Sequence, residues 1–365
     1  MNGLTVHRSH EADPGSRGFA LGHAAAAAIA NTVAVYKRMF SEDMGLGSDV
    51  VLRHGAEIAE RVSLVRPDLV EEMSGIAAGA RQPDELIFAL NARTELLAGG
   101  EVASGGGECS VAGATSTDGG RCLLAQNWDF HPDLAASRLL WHVQLGGGAW
   151  MSTFTEAGLL AKTGLNDAGL GVTLNFLASD TDGGLDGMPI HLLLRMLLDG
   201  CRTAADAERL LNDTAVSASA AITVASAAGE LTSYELSPRG VWTVQADAAG
   251  LLAHTNHFIA EVPVRDLIAA GSGGPGSLSR LDAVETGLRD LEAADPVEAL
   301  GALLSSRHEG DEHGSVFRRE VAEDPWLERF ATLATVVYDL AARRMWIRVG
   351  ADPGAPLVEA PPASA

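Results

Sequence analysis

GGGECSVAGATSTDGGRCLLAQNWDF, residues 105–130, divides the chain into two textures. Upstream, the signals are helical: in RQPDELIFALNARTELLAGG, Pro83 and Asp84 suit a helix start, Leu86, Ile87, Leu90 and Leu97 form an apolar stripe, and Gly99-Gly100 suits a stop. Residues 24–38, 49–62 and 67–80 carry weaker versions of the same periodicity. Downstream come short strand-like runs set apart by Gly, Asn and Asp: RCLLAQNWDF, SRLLWHVQL, GLGVTLNFL, SAAITVAS, GELTSYEL, GVWTVQAD and LLAHTN. Two helical runs interrupt them, IHLLLRMLLDG near 190–200 and TAADAERLLND near 203–213, the second with Thr203 as its cap. GSGGPGS, 271–277, reads as a loop inside one folded unit, because strand signals continue to RRMWIRVG at 343–350. The end, from about 354 to 365, is Pro/Ala-rich and reads as a disordered tail. Leading helices followed by strand runs that flank a helix pair predict an α+β layered architecture.

Composition narrows the function classes. With 47% apolar and 20% charged residues, a chain of 365 residues can bury a sizeable core. The formal charge of −22, from 26 Lys+Arg against 48 Asp+Glu, repels phosphate backbones and anionic lipid, and no local basic cluster offsets it. Nucleic acid and membrane are therefore not expected as partners. MNGLTVHRSHEADPGSRGF carries charges where a signal peptide needs an apolar core, and LGHAAAAAIANTVAVYKR, broken by Asn31, is too short to span a bilayer and reads as a packed helix. Three scattered cysteines, Cys109, Cys122 and Cys201, support neither a disulfide framework nor a cysteine zinc site, so a reducing cytoplasm is the expected setting.

Cys122, in the apolar run RCLLA, reads as a small buried hydrophobe. Cys109 is placed differently, behind Gly105-Gly106-Gly107 and before Ser110. It fits either a buried structural thiol or a nucleophile. A nucleophilic cysteine needs a base, and none of the eleven histidines is marked out by position. A cut just before Cys109 would supply one: the freed α-amino group, with an ordinary pKa of about 8, can accept the proton of its own thiol.

The stretch ECSVAGA…LAQNWDF resembles the start of the mature large subunit in the penicillin acyltransferase family. Further matches follow in order: LNARTELL at 90–97, EAGLLAKTGLNDAGLGVTLN at 156–175, GMPIHLLLRMLL at 187–198, YELSP at 234–238, HTNH at 254–257 and ERFATLATVVYD at 328–339. The resemblance implies a self-processing N-terminal-nucleophile hydrolase with a four-layer αββα fold. Cleavage would fall between Glu108 and Cys109, leaving a mostly helical small subunit, 1–108, packed against a large subunit, 109–365, that carries the sheets and the site. Glu108 stands where the family's fungal member has glycine.

By the same resemblance Cys109 first attacks its preceding carbonyl and later carries the acyl group as a thioester. Asp129 matches the active-site aspartate, and a carboxylate there can hold the new ammonium group; its alternative is a turn residue before His131-Pro132. Asn256, in HTNH, matches an asparagine that lines the oxyanion hole. Asn175 occupies a place similar to an oxyanion-side asparagine of the bile salt and penicillin V hydrolases, and a polar side chain in that apolar strand needs a partner under either reading. Arg329 aligns with a substrate carboxylate-binding arginine and Arg280 resembles an active-site arginine of the bile salt hydrolases; each is also compatible with an ordinary ion pair. His254 and His257 raise a metal question, but no further ligand cluster accompanies them, and no metal is expected. No Gly-rich phosphate loop declares itself, so no cofactor is expected, while acyl-CoA stays open as a co-substrate. The expected activity is acyl transfer or hydrolysis on small-molecule N-acyl amides, against the alternative of an unprocessed relative that only binds small molecules.

Overall fold

The computed structural model describes residues 3–98, 100, 109–116, 121–271, 274–291, 295–308, 314–361 and 363. Two sheets face each other, with helices on both outer sides, in the αββα order the resemblance implies. The first sheet has eight strands in the order β1-β4-β5-β6-β7-β8-β9-β10: β1 (Thr5–Ser9), β4 (Arg138–Gly146), β5 (Ala149–Glu156), β6 (Thr163–Asn166), β7 (Leu170–Phe176), β8 (Ala220–Ser226), β9 (Leu231–Ser237) and β10 (Gly240–Gln245). The second has six, β11-β2-β3-β12-β13-β14: β11 (Leu251–His254), β2 (Cys109–Thr115), β3 (Cys122–Phe130), β12 (Ala331–Asp339), β13 (Arg344–Val349) and β14 (Val358–Glu359). All pairs are antiparallel except β1 with β4.

Helices α7 (Ile190–Gly200) and α8 (Ala204–Asp213) cover the eight-stranded sheet; α9 (Gly274–Arg289) and α10 (Pro296–Leu303) cover the other. Because helices or the facing sheet lie against both sides of the central strands, those strands are buried on both faces and show no alternation of buried and exposed positions. β3, β8 and β12 are buried at every position. Thr203 caps α8 in a full capping box with Asp206, as its position in the sequence suggests.

The N-terminal helices α1 (Pro14–Ala24), α2 (Ala26–Glu42), α3 (Ser48–Ser63), α4 (Pro67–Ala80), α5 (Asp84–Asn91) and α6 (Arg93–Leu96) form a bundle against this sandwich. α1 and α4 approach most closely, through Gly18 and Gly22 on one helix and Gly75 and Gly79 on the other. At each position a methyl group would fall inside the backbone of the facing helix. A buried fork, Arg17 to Glu72 at 2.7 and 2.9 Å with Arg195 of α7 on the same carboxylate at 2.8 Å, ties this pair to the sandwich.

Four details depart from expectation. The helix read as continuous through 83–97 breaks at Ala92, because the side chain of Asn91 turns to bond the carbonyls of Ile87 and Gly158 at 2.9 Å. GSGGPGS is a loop only to its middle: α9 begins at Gly274, with Pro275 in the first turn, where a missing N–H costs nothing. Residues 354–361 do not behave as a disordered tail. β14 pairs with β13, Arg344 bonds the Glu359 carboxylate, and Leu357 is buried against Gly301 and its neighbours. The fourth is β1, whose alternation is too short and polar to announce a strand, yet which runs parallel to β4 from Thr5↔Leu139 to Ser9↔Val143.

Gly75→Ala is expected to destabilise the protein despite the better helix propensity of alanine. The propensity gain is about 1 kcal/mol, whereas forcing two backbones apart costs about 1–3 kcal/mol or more. A urea midpoint equal to or above wild type would contradict the close α1–α4 contact.

Candidate active site

Register places the chemistry. β2 opens at Cys109, whose cross-strand partner on β3 is Trp128, and β11 pairs with β2 so that His254 faces Val111. Continuing that antiparallel register two residues past β11 sets Asn256 beside Cys109. The bond is present: the Cys109 N–H donates to Asn256 Oδ1 at 2.8 Å. Asn175, on β7 of the facing sheet, donates through Nδ2 to the Cys109 carbonyl at 3.0 Å and to the His254 carbonyl at 3.4 Å.

Arg280 approaches from α9. It donates to the Cys109 carbonyl at 3.0 Å, to Ser110 Oγ at 3.1 Å and to Asn256 Oδ1 at 3.2 Å. The first turn of α9 also fixes the HTNH loop, since Ser277 Oγ accepts from the Asn256 N–H at 2.9 Å and the Ser277 carbonyl accepts from Thr255 Oγ1 at 3.0 Å. His257 Nδ1 meets Ser277 Oγ at 2.8 Å, while His254 lies between Glu235 Oε1 and the Thr255 carbonyl, both at 2.8 Å. Asn256 Nδ2 donates to the Phe176 carbonyl at 2.9 Å.

Cys109 and Asp129 line a recess whose walls are mainly Leu97, Trp128, Phe130, Leu174 and Phe176, with Arg93 and Lys162 as its cations. Asp129 is fully buried, and neither carboxylate oxygen makes a hydrogen bond among the described residues. Burial pushes its pKa up to about 7, against the pull of the cross-strand Thr332 hydroxyl, which lies near without a well-formed bond, and of Arg280 and Lys162. Burial also raises the Cys109 thiol, with Lys162 the strongest opposing influence. Cys122 and Cys201 are buried without such a setting, and burial pushes their thiols to about 12 and about 11.

Five of the residues singled out in the sequence therefore meet: Cys109, Asp129, Asn175, Asn256 and Arg280. Arg329 does not line the recess. It follows a short 3-10 turn, donates to the Asp324 carbonyl at 3.0 Å and lies 3.6 Å from Glu320. Glu108 and the Gly105–Gly107 run lie outside the described residues.

The sequence reading passed over a buried ionic set on the recess wall. Glu156 ends β5 and Lys162 precedes β6, and the intervening turn is clamped by Asn91, which also accepts from the Leu160 N–H at 2.9 Å. Lys162 Nζ lies 2.8 Å from Glu156 Oε1, Arg93 Nη2 3.2 Å from the same oxygen, and the Tyr36 hydroxyl 2.6 Å from Oε2. Burial alone would raise the Glu156 pKa, but Arg93 and Lys162 bring it down to about 2. Burial takes Lys162 down to about 8, opposed by Glu156. The signal was present: Arg93 in LNARTELL, and Glu156 and Lys162 in EAGLLAKTG, are charges inside apolar runs, which stay buried only when paired.

The model of one family, acyl-coenzyme A:6-aminopenicillanic acid acyl-transferase, matches residues 115–353. The 40 kDa form of acyl-coenzyme A:6-aminopenicillanic-acid-acyltransferase from Emericella nidulans is 34% identical over 195 residues, which are 53% of this chain and 52% of that protein. The chain thus spans about half the length of the curated relative it matches. Among solved structures, penicillin V acylase from Agrobacterium tumefaciens is similar with a TM-score of 0.46 and 13% identity, over 68% of this chain and 86% of that one. A single-residue variant of conjugated bile acid hydrolase from Clostridium perfringens gives 0.45 and 10%, over 68% and 92%.

In a Cys109→Ala background, Asp129→Asn is expected to raise stability at pH 8 and to leave it unchanged at pH 4. The folded pKa of about 7 lies above the ordinary 3.8, so the unfolded chain releases this proton first. Stability is then lost as pH rises from about 4 to 7, and asparagine, which cannot ionise, is spared a cost on the order of 2–4 kcal/mol. Equal denaturation midpoints for the two variants at pH 8 would show that the Asp129 carboxylate is satisfied.

Proposed function

We propose that this chain, which belongs to the acyl-coenzyme A:6-aminopenicillanic acid acyl-transferase family, is a self-processing cysteine enzyme that moves acyl groups from small N-acyl amides through a thioester on Cys109. The observation that carries the reading is the placement of Cys109: first residue of its strand, mouth of the recess, both backbone groups held by side chains. In the intact chain, Sγ attacks the carbonyl carbon of Glu108. The C–N bond to Cys109 breaks, its nitrogen takes a proton, and water hydrolyses the resulting thioester, leaving chains 1–108 and 109–365.

The freed amine stays beside Asn256 Oδ1 and lines the recess with Asp129, whose unpartnered carboxylate gains an N–H donor that becomes an ammonium once it takes the thiol proton. In turnover that amine accepts the thiol proton and the thiolate attacks the acyl carbonyl. The oxyanion takes a hydrogen bond from the Asn256 amide, with Asn175 and Arg280 holding the backbone beneath it. The amine leaves with a proton, and water or a second amine then releases the acyl group.

The small chain would stay attached. β1 is a strand of the eight-stranded sheet, and Arg93, Thr94 and Leu97 are walls of the recess. In this reading Arg329, half-buried at the end of its turn, would leave Asp324 and Glu320 to meet a carboxylate on the incoming or leaving amine, and acyl-CoA is one of the acyl donors to be tried.

Denaturing mass analysis of purified protein is expected to give two chains split before Cys109, and Cys109→Ala a single intact chain with at least about 10⁴-fold less acyl release from N-acyl amides. Active wild-type protein that runs as one intact chain would sink the mechanism. Product analysis with and without an acceptor amine separates hydrolysis from transfer.

A further inference from the structure

Ionising a buried thiol needs a cation close by, and the charges facing Cys109 can be followed element by element. From α9 comes Arg280, committed to the Cys109 carbonyl, Ser110 and Asn256 on the backbone side. From β3 comes Asp129, from α6 Arg93 and from the end of β5 Glu156. His191 of α7 is kept neutral by burial and by Arg93 and Lys162. Glu95 of α6, which accepts from the Ile190 N–H at 2.9 Å, is pushed up to about 7 by burial. Lys162 is the other cation on the recess wall, fixed above the ring of Trp128 at 4.0 Å, and Trp128 is the cross-strand partner of Cys109.

The arithmetic of this set leaves one charge unanswered. Arg93 and Lys162 both converge on a single Glu156 oxygen, and the second oxygen is taken by the neutral Tyr36 hydroxyl. Two cations on one carboxylate leave a surplus of one positive charge on the recess that Cys109 also lines.

We propose that the Lys162 ammonium is the counter-ion of the Cys109 thiolate, and that Glu156, Arg93 and Tyr36 hold it in place for that purpose. The inference rests on Cys109 being the nucleophile. It adds a partner that acts before the chain is cut, when Cys109 has no free amine. At that stage the thiol proton passes to the Asp129 carboxylate, and after cleavage to the α-amino group. Lys162 keeps its protons in both steps and stabilises the sulfur anion.

The test is the pH dependence of Cys109 alkylation, with the modified peptide located by mass, in wild type, Lys162→Met and Lys162→Arg. Lys162→Met is expected to raise the apparent thiol pKa by at least about one unit, slowing iodoacetamide alkylation at pH 7 by about tenfold or more. It should lower kcat with KM little changed and slow chain splitting, while Lys162→Arg restores most of both. In wild type, anionic iodoacetate should gain on neutral iodoacetamide relative to a free cysteine peptide, and lose that advantage above about pH 8 as Lys162 deprotonates. A Lys162→Met profile that superimposes on wild type overturns the proposal. If that variant does not fold, a wild-type reagent ratio equal to the peptide's overturns it instead. Amide turnover that survives Cys109→Ala would remove the functional reading on its own, since the alkylation profile reports on the sulfur whatever the substrate.

Discussion

The clamp on the backbone of Cys109 is the constraint on which the site depends. Its N–H is held by Asn256 and its carbonyl by Asn175 and Arg280, and these three arrive from the HTNH loop after β11, from the facing sheet and from the helix outside the second sheet. Three of the four layers must therefore be assembled before the residue is placed. A side chain can swing among rotamers, but a residue held at both backbone groups leaves only Sγ free to turn between wall and recess. Cleaving the peptide bond before such a residue removes covalent connection without removing position. The Asn256 carbonyl oxygen accepts from a peptide N–H and from an ammonium alike.

That clamp makes the electrostatics of the recess expensive. The Asp129 carboxylate has no hydrogen-bond partner among the described residues, the thiol is buried, and both are pushed toward their neutral forms. The buried ion set at Glu156 offsets this by bringing the cations Arg93 and Lys162 to the wall of the same recess. Its members come from α2, α6 and the β5–β6 turn, so the N-terminal helices are part of the site and not a detachable covering. The glycine contact of α1 with α4 and the Arg17–Glu72–Arg195 fork hold the bundle at the distance where Arg93 reaches Glu156.

How much of this was legible follows from the range of each interaction. Cys109 and Asp129 stand on the adjacent strands β2 and β3 of one hairpin, whereas Asn256, 147 residues from Cys109, was legible only through the resemblance that HTNH carries. The αββα order followed from the same resemblance, and α7 and α8 from their own periodicity and cap. Glu156, Lys162 and Arg93 were on the page as charges in apolar runs, but their pairing joins residues 36, 93, 156 and 162, which no local pattern connects. β1 escaped for the same reason, since its partner is more than a hundred residues away. Leu357 and Glu359 lie in a Pro/Ala-rich end that looks unstructured until the edge of β13 is there to receive it. Arg329 is the opposite case: a motif match located the residue, but it bonds the Asp324 carbonyl and pairs with Glu320 and does not line the recess.

Site and fold place opposite demands on the same residues. Packing alone would favour an apolar side chain at 129 and again at 156 and 162, since well-packed hydrophobic replacements of buried ions are often neutral or stabilising. Glu156 is justified only if Arg93 and Lys162 are needed, and Lys162 only if something in the recess becomes negative. In the proposed reaction, the amine freed by cleavage would resolve part of this tension by giving Asp129 a partner. On the proposed reading the uncut chain would be the less satisfied state, because its Asp129 carboxylate is buried without a hydrogen bond and a cut before Cys109 would supply the missing donor.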